Sequence, residues 1–392
     1  METPNELQLL TQAAARGEAL RDGRVILYAG ANLPSPQAQA AYAPELSAYP
    51  AMGPSFAKEQ PDTDLVSGLE VAVRRRICRL FKAAWAEPRL PSCTIANLAV
   101  FHAFSRPGDL LLAPAAAHGG HLSQRRGGTP ELAGLRVVDL PYDSQVCRLD
   151  TQAAAQQVRA LRPNLIMLGR SVIITPDDLE AVVEAAQEVG AKTIYDASHV
   201  SGLIAGGCFP NPLEMGVDIL TSSTYKTLPG RPHSLIAGRD PADGERLAGF
   251  IDRALLANYD AGKLPAFLVT LQQAEADGGA YARRVCAATE LFAQLLREQD
   301  VAVIAPEAGG IFTHQVLVPM SPSVAPAQAM HALQRQGILL GTCADPRTPG
   351  GYALRVGTQY IVAQGQDSEV AAIACRLAGS LRRAPDGRML VG

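Results

Sequence analysis

The chain has 392 residues, a formal net charge of −3, and 47% hydrophobic against 19% charged residues. That length accommodates two domains with substantial cores, or one large α/β domain with an appendage, and the composition is ordinary for a soluble globular protein. The near-neutral balance gives no electrostatic case for nucleic acid or an acidic membrane surface, and no apolar run is long enough to span a bilayer.

The opening METPNELQLL lacks the basic and apolar regions of a secretory signal. Cys78, Cys93, Cys147, Cys208, Cys286, Cys343 and Cys375 are odd in number and never spaced C-x-x-C. They predict reduced thiols in a cytoplasm rather than a disulfide framework or a zinc site.

In chain order, Thr3-Pro4-Asn5-Glu6 reads as a capping box opening an amphipathic helix over Leu7–Leu20, suited to packing on a partner subunit. Arg24–Tyr28 is expected as a short strand, and Val66–Lys82 as a helix with arginines on its solvent face. Ser92-Cys93-Thr94 precedes an apolar helix over Leu98–Phe104. Hydroxyls and free N–H groups at a helix start favour an anion there, although a plain N-cap is the simpler reading. Strands follow at Asp109–Pro114, Leu135–Tyr142 and Asn164–Leu168, with a helix over Asp150–Leu161. Pro176–Val189 reads as a helix with Asp177, Asp178 and Glu180 in its first turn, leading back to a strand at Lys192–Asp196. Strand, helix, strand at this spacing implies a parallel sheet. Ligands then gather at the strands' carboxyl ends, where Ser171, Asp196 and Lys226 fall.

The stretch that organises the rest is Ile194–Gly238. A strand ends in Asp196, with His199 just beyond. A second strand at Val217–Leu220 runs into the hydroxylic turn Thr221-Ser-Ser223-Thr-Tyr225-Lys226. Only five of the 35 basic residues are lysine, and Lys226 alone follows a strand in such a cluster. An acid at one strand end and a lysine past the next suit pyridoxal phosphate (PLP), whose ring nitrogen needs a carboxylate and whose aldehyde needs an amine. Beyond Gly238, helices are expected at Asp243–Leu256, Leu264–Gln299, Val324–Gln336 and Ser368–Arg383, with antiparallel strands at Val301–Ile304 and Ile311–Val318.

Asp196-Ala-Ser-His199-Val-Ser-Gly202-Leu-Ile-Ala205, then Pro210-Asn-Pro212, then Thr221–Leu228 ending Tyr225-Lys226-Thr-Leu, resemble the serine hydroxymethyltransferase family. That family carries D-x-x-H-x-x-G-L-I-A, P-N-P and a threonine-rich run ending H-K-T-L. The resemblance implies an α/β fold of the PLP-dependent transferase type I. Three units are expected: residues 1–45 as an N-terminal helix and arm, 46–258 as a large PLP-binding domain, and 259–392 as a bridging helix with a smaller α+β domain.

The resemblance also implies residue roles. Lys226 is the imine-forming amine and Asp196 the partner of the ring nitrogen. In His118-Gly-Gly-His121, His121 stacks on the ring. Ser92, Cys93 and Thr94 lie where the family's turn binds the phosphate, while Ser171, His199 and Ser223 complete the cofactor pocket. The Tyr259–Gly262 segment resembles a loop that touches the phosphate across a dimer. In Leu354-Arg355-Val-Gly-Thr358, Arg355 grips the substrate carboxylate, and Gln359 stands in place of a proline. Arg170 replaces an apolar residue and could bring a cation to the site. Tyr49 and Ser35 match substrate-side positions.

The departures fall on the substrate side. Gly30 replaces a serine that helps hold the carboxylate, Ser47 aligns with a glutamate, a tyrosine pair has no counterpart, and Tyr225 replaces a histidine. The expected chemistry is making or breaking the Cα–Cβ bond of a β-hydroxy-α-amino acid, with tetrahydrofolate use open and Tyr225 an acid candidate. Chemistry at Cα–H (racemisation or transamination) and a non-catalytic PLP-binding paralogue are the alternatives. The small-molecule substrate is an amino acid, no metal is expected, and a homodimer, or a tetramer, is implied.

Overall fold

The structure, a computed structural model, describes residues 5–382 and 390. Its centre is a seven-stranded sheet of β1 (Trp85–Glu87), β2 (Leu110–Ala113), β3 (Arg136–Asp139), β4 (Leu165–Leu168), β5 (Lys192–Asp196), β6 (Ile219–Tyr225) and β7 (Pro229–Gly238), in the order β1-β7-β6-β5-β4-β2-β3. The run β6-β5-β4-β2-β3 is parallel throughout; β7 lies antiparallel to both β6 and β1. β2 and β4 are buried along their full length, as strands covered on both faces must be. The expected α/β class and parallel core are therefore present.

Helices cover this sheet. α1 (Asp64–Phe81) ends in a left-handed cap at Lys82, α2 (Cys93–Phe104) starts on the Ser92 N-cap, and α3 (Thr151–Leu161) starts on Asp150. α4 (Glu180–Val189) ends at Gly190 with φ 75°, a backbone conformation glycine adopts without strain. α5 (Lys263–Arg297) runs 35 residues from the large sheet to a second, three-stranded antiparallel sheet. That sheet comprises β8 (Gln315–Pro319), β9 (Gly341–Ala344) and β10 (Tyr352–Gly357), with β10 central.

Several expectations are corrected. The N-terminal helix breaks at Ala15 into Glu6–Ala14 and Arg16–Arg21. Its capping box is Asn5 with Gln8; Thr3 and Pro4 lie outside the described residues, as does Arg383 at the far end. The strand after Leu135 stops at Asp139, and Tyr142–Asp143 pairs separately with Arg148–Leu149. Val301–Ile304 forms no strand, only a bridge from Ile304 to Leu317. β6 continues through the hydroxylic cluster to Tyr225, so that cluster is strand rather than turn.

The largest revision concerns Arg170. The helix expected from Pro176 begins only at Glu180, which frees Asp177 to pair with Arg170 at 2.6 and 2.9 Å. Both side chains are buried, and Arg170 also donates to the Val172 carbonyl at 3.0 Å and lies over the Tyr142 ring. Arg170 therefore braces the loop beyond β4 and brings no free charge to a substrate. Removing one member of a buried pair strands the other. Asp177→Ala should cost about 3–5 kcal/mol in chemical denaturation, and a joint Arg170→Met, Asp177→Leu replacement should recover much of it.

Candidate active site

β5 ends at Asp196, paired in register to Thr221, while β6 runs on four residues further to Tyr225. The Asp196 carboxylate is buried and accepts from Asn97 Nδ2 at 3.0 Å and from the Ser198 N–H at 3.0 Å. Asn97, an amide inside the apolar helix α2, also donates to Ser123 Oγ at 3.0 Å and accepts from Thr221 Oγ1 at 2.7 Å. Sequence reading passed over Asn97. Its signal was a lone amide among Ala96, Leu98 and Ala99. Burial pushes the Asp196 carboxyl up, but the Lys226 charge and the bonds from Ser198 and Asn97 outweigh it and hold the group below its ordinary value.

Lys226 follows β6 directly. Its ammonium stands 5.7 Å from the Tyr225 ring centroid and makes no hydrogen bond or ion pair among the described residues. Its carbonyl accepts from Asn32 Nδ2 at 2.7 Å, a contact the sequence did not reveal. Burial holds the Lys226 amine below its ordinary value, partly opposed by Asp196. Each group feels the other's charge, yet they are not in contact.

The Asp196 network reaches His121. Ser123 donates its N–H to His121 Nδ1 at 3.2 Å, and its Oγ lies 2.8 Å from the same nitrogen. Nδ1 is thus an acceptor, which leaves the proton of the neutral ring on Nε2. The preceding glycines are required sterically. A Cβ at Gly120 would collide with the Pro114 carbonyl, and Gly119 sits at φ 86° against Val172.

Ser171 is tied by its backbone. Its N–H donates to Gly119 at 2.8 Å, and its carbonyl accepts from Arg355 Nη1 and Gln315 Nε2, each at 3.0 Å. Arg355 Nε is buried without a partner, so the guanidinium keeps donors unspent. His199 is buried with Nδ1 3.3 Å from His314 Nε2 and 3.0 Å from Gln315 Nε2, its ring stacked on that of His314. Burial, with the charges of Lys226 and Arg355, pushes His199 well below its ordinary value, so it stays neutral.

Ser223 donates its N–H to none of these but to Ser198 Oγ at 2.9 Å, and its own hydroxyl is buried with no partner. Cys93 is buried in the first turn of α2, its thiol raised by burial and then by the Asp196 charge. Ser92 caps that helix through Ile95, with Thr94 in the same turn. Tyr225 is raised by burial and by Cys93 and Tyr28 beside it.

Three expected site residues contact none of this group. Tyr49 is 52% exposed. Gly262 lies at the start of α5, donating to Ser47 Oγ at 3.1 Å. Ser35 caps the short helix Pro36–Ala40 and, with Gly202, Thr227, Tyr281 and Arg284, lines a cavity of about 560 Å³ beyond the Lys226 backbone.

The mainly parallel sheet, with Asp196 at the end of β5 and Lys226 just past the end of β6, is that of a PLP-dependent enzyme of fold type I. Residues 10–374 match the family described as serine hydroxymethyltransferase, and the chain belongs to that family. It is a PLP-dependent enzyme acting on the Cα–Cβ bond of β-hydroxy-α-amino acids. A serine hydroxymethyltransferase of Pyrobaculum aerophilum is 31% identical over 386 residues, 95% of this chain and 89% of that protein. An alpha-methylserine aldolase of Variovorax paradoxus is 33% identical over 337 residues, covering 85% and 77%. The crystal structure of an L-threonine transaldolase from Pseudomonas fluorescens shares the fold with a TM-score of 0.88, over 95% of this chain and 87% of that one, at 23% identity.

Because burial lowers the Lys226 amine, the midpoint for its capture of PLP should fall below the 10.5 of an ordinary lysine. Asp196 opposes that lowering, so Asp196→Asn should move the midpoint further down. A pH series of imine absorbance with both proteins checks the sign.

Proposed function

We propose that this enzyme cleaves or exchanges the Cα–Cβ bond of a β-hydroxy-α-amino acid by aldol or transaldol chemistry without tetrahydrofolate. The observation that carries the reading is the placement of Asp196 and Lys226. Two groups that bias each other's ionisation are held apart, Asp196 at the end of β5 and Lys226 past the end of β6, and the Ser223 hydroxyl and Arg355 Nε are unspent. Such orphaned buried groups fit a polar cofactor.

Bound PLP supplies an electron sink that weakens the bonds at Cα of an attached amino acid. The chain's residues do the rest. Lys226 would be the amine that holds the cofactor, and the Asn97 and Ser198 bonds keep Asp196 ionised, as a carboxylate facing a ring nitrogen would need to be. Ser92, Cys93, Thr94 and the N–H groups at the start of the twelve-residue helix α2 would receive the phosphate. His121 would stack on the ring, Ser171, His199 and Ser223 would line the cofactor pocket, and Arg355 would pair with the substrate carboxylate. Tyr225 is held above its ordinary value, so it stays a protonated phenol near neutrality and is an acid candidate, not a base.

The folate-free reading rests on Ser47, which aligns with the family's glutamate. Its hydroxyl is already engaged with Asp260 Oδ1 at 2.9 Å and the Gly262 N–H. The similarity to alpha-methylserine aldolases supports it. A homodimer is part of the same proposal. The helix Glu6–Ala14 buries none of its residues and leaves Leu7, Leu9 and Leu10 exposed, and Tyr49 and Gly262 would face the partner's site.

Purified enzyme with PLP should cleave a β-hydroxy-α-amino acid at a rate that added tetrahydrofolate does not change. Lys226→Ala should lose both the visible absorbance of bound PLP and turnover. A strict folate requirement would remove the folate-free reading; unchanged absorbance in Lys226→Ala would remove the whole assignment.

A further inference from the structure

We propose that the Tyr28 hydroxyl supplies the substrate-carboxylate contact that Gly30 cannot make, acting beside Arg355. The inference rests on the amino-acid substrate reading above, and deepens it by naming a residue that sets substrate affinity.

The ring of Tyr28 lies in a slot between two glycines. A Cβ built on Gly30 would sit 3.0 Å from Cε1 and 3.9 Å from Cζ of Tyr28. One built on Gly341 would sit 2.8 Å from Cε2 and 3.8 Å from Cζ. The phenol therefore fills the space a side chain at position 30 would enter, with its hydroxyl-bearing carbon close to both glycines. Gly341 is the cross-strand partner of Arg355 on β10. Directly opposed residues of an antiparallel pair share a sheet face, so a ring packed on Gly341 stands next to the arginine.

The backbone is held as firmly as the ring. Tyr28 bridges Val356, the neighbour of Arg355. Gln359 Nε2 donates to the carbonyls of Tyr28 at 2.9 Å and Ala31 at 2.7 Å, clamping the chain on both sides of Gly30. A proline at 359 could make neither bond. Tyr28 remains 42% exposed and borders an open cavity of about 370 Å³, which Asn32, the residue bonded to the Lys226 carbonyl, also lines. On the other side, Tyr28 is among the groups that raise Tyr225, which places the two phenols near each other. A phenol packed on the cross-strand partner of an arginine whose Nε is unpartnered is suited to share a carboxylate with it.

Tyr28→Phe keeps the ring and removes the hydroxyl. In the PLP-loaded enzyme, the dissociation constant for glycine, read from the cofactor absorbance, and KM for the β-hydroxy amino acid should each rise about tenfold. PLP retention and kcat should hold. Methylamine, which lacks a carboxylate, should bind both proteins equally. A joint Tyr28→Val, Gly30→Ser variant, with the slot emptied and the serine restored, should regain glycine affinity. An unchanged glycine constant in Tyr28→Phe, or equal losses for glycine and methylamine, would overturn the assignment. A glycine-selective loss in an enzyme that cleaves no β-hydroxy amino acid would uphold it while removing the aldol reading.

Discussion

A buried carboxylate has to be kept ionised by its surroundings or it takes up a proton, and the site is arranged around that requirement at Asp196. Burial works against the charge; a distant ammonium, the Ser198 hydroxyl, one side-chain amide and one backbone N–H work for it. The amide belongs to Asn97, which is itself oriented by Thr221 on the next strand and passes a bond on to Ser123. Ser123 in turn sets the tautomer of His121. A single network thus joins β5, β6, helix α2 and the loop after β2. The ionisation of one residue and the ring orientation of another are consequences of the same hydrogen bonds.

Close backbone approach holds these elements in register. At Gly169 a Cβ would strike the Asp196 carbonyl, and at Gly202 it would strike that of Thr227, one residue past the lysine. Gly169 also has φ 76°, so no other residue would adopt its backbone without strain. The loop beyond β4 is pressed against the end of β5, and the helix after Asp196 against the turn after Lys226. Carboxylate and amine therefore stand on backbones that cannot drift apart independently, which is how a preorganised pair is maintained without contact.

Apolar runs of the right length made β2, β4 and β5 legible from residue types alone, and the glycine and lysine motifs placed the cofactor residues at their ends. The misreadings share a physical cause. Thr221-Ser-Ser-Thr looks like a turn because hydroxyl residues usually bond locally. Here the strand is enclosed by β5 and β7, and Thr221 and Thr224 instead reach Asn97 and the Arg231 carbonyl across it. Asp177 looks like a helix-dipole acid until a buried arginine seven residues earlier claims it. Asn97, Asn32 and Tyr28 act through partners distant in sequence, which no local pattern encodes.

The contrast with the remaining buried charges is informative. Glu70 is fully buried and meets Lys58 at 2.7 Å; Glu87 meets Arg89 at 2.8 Å, and Arg89 reaches Asp252 at 2.6 Å. These pairs tie residues 53–58 to α1 and β1, and each ion's desolvation is offset within the protein. Arg170 and Asp177 do the same under the loop that carries Ser171. At the active site the rule is broken. Asp196 and Lys226 are desolvated without touching, Arg355 Nε is unpartnered, and the Ser223 hydroxyl is unused. Where those pairs meet ion to ion, Asp196 is met by neutral donors and Lys226 by no counter-ion, so both keep their charge available to a bound group.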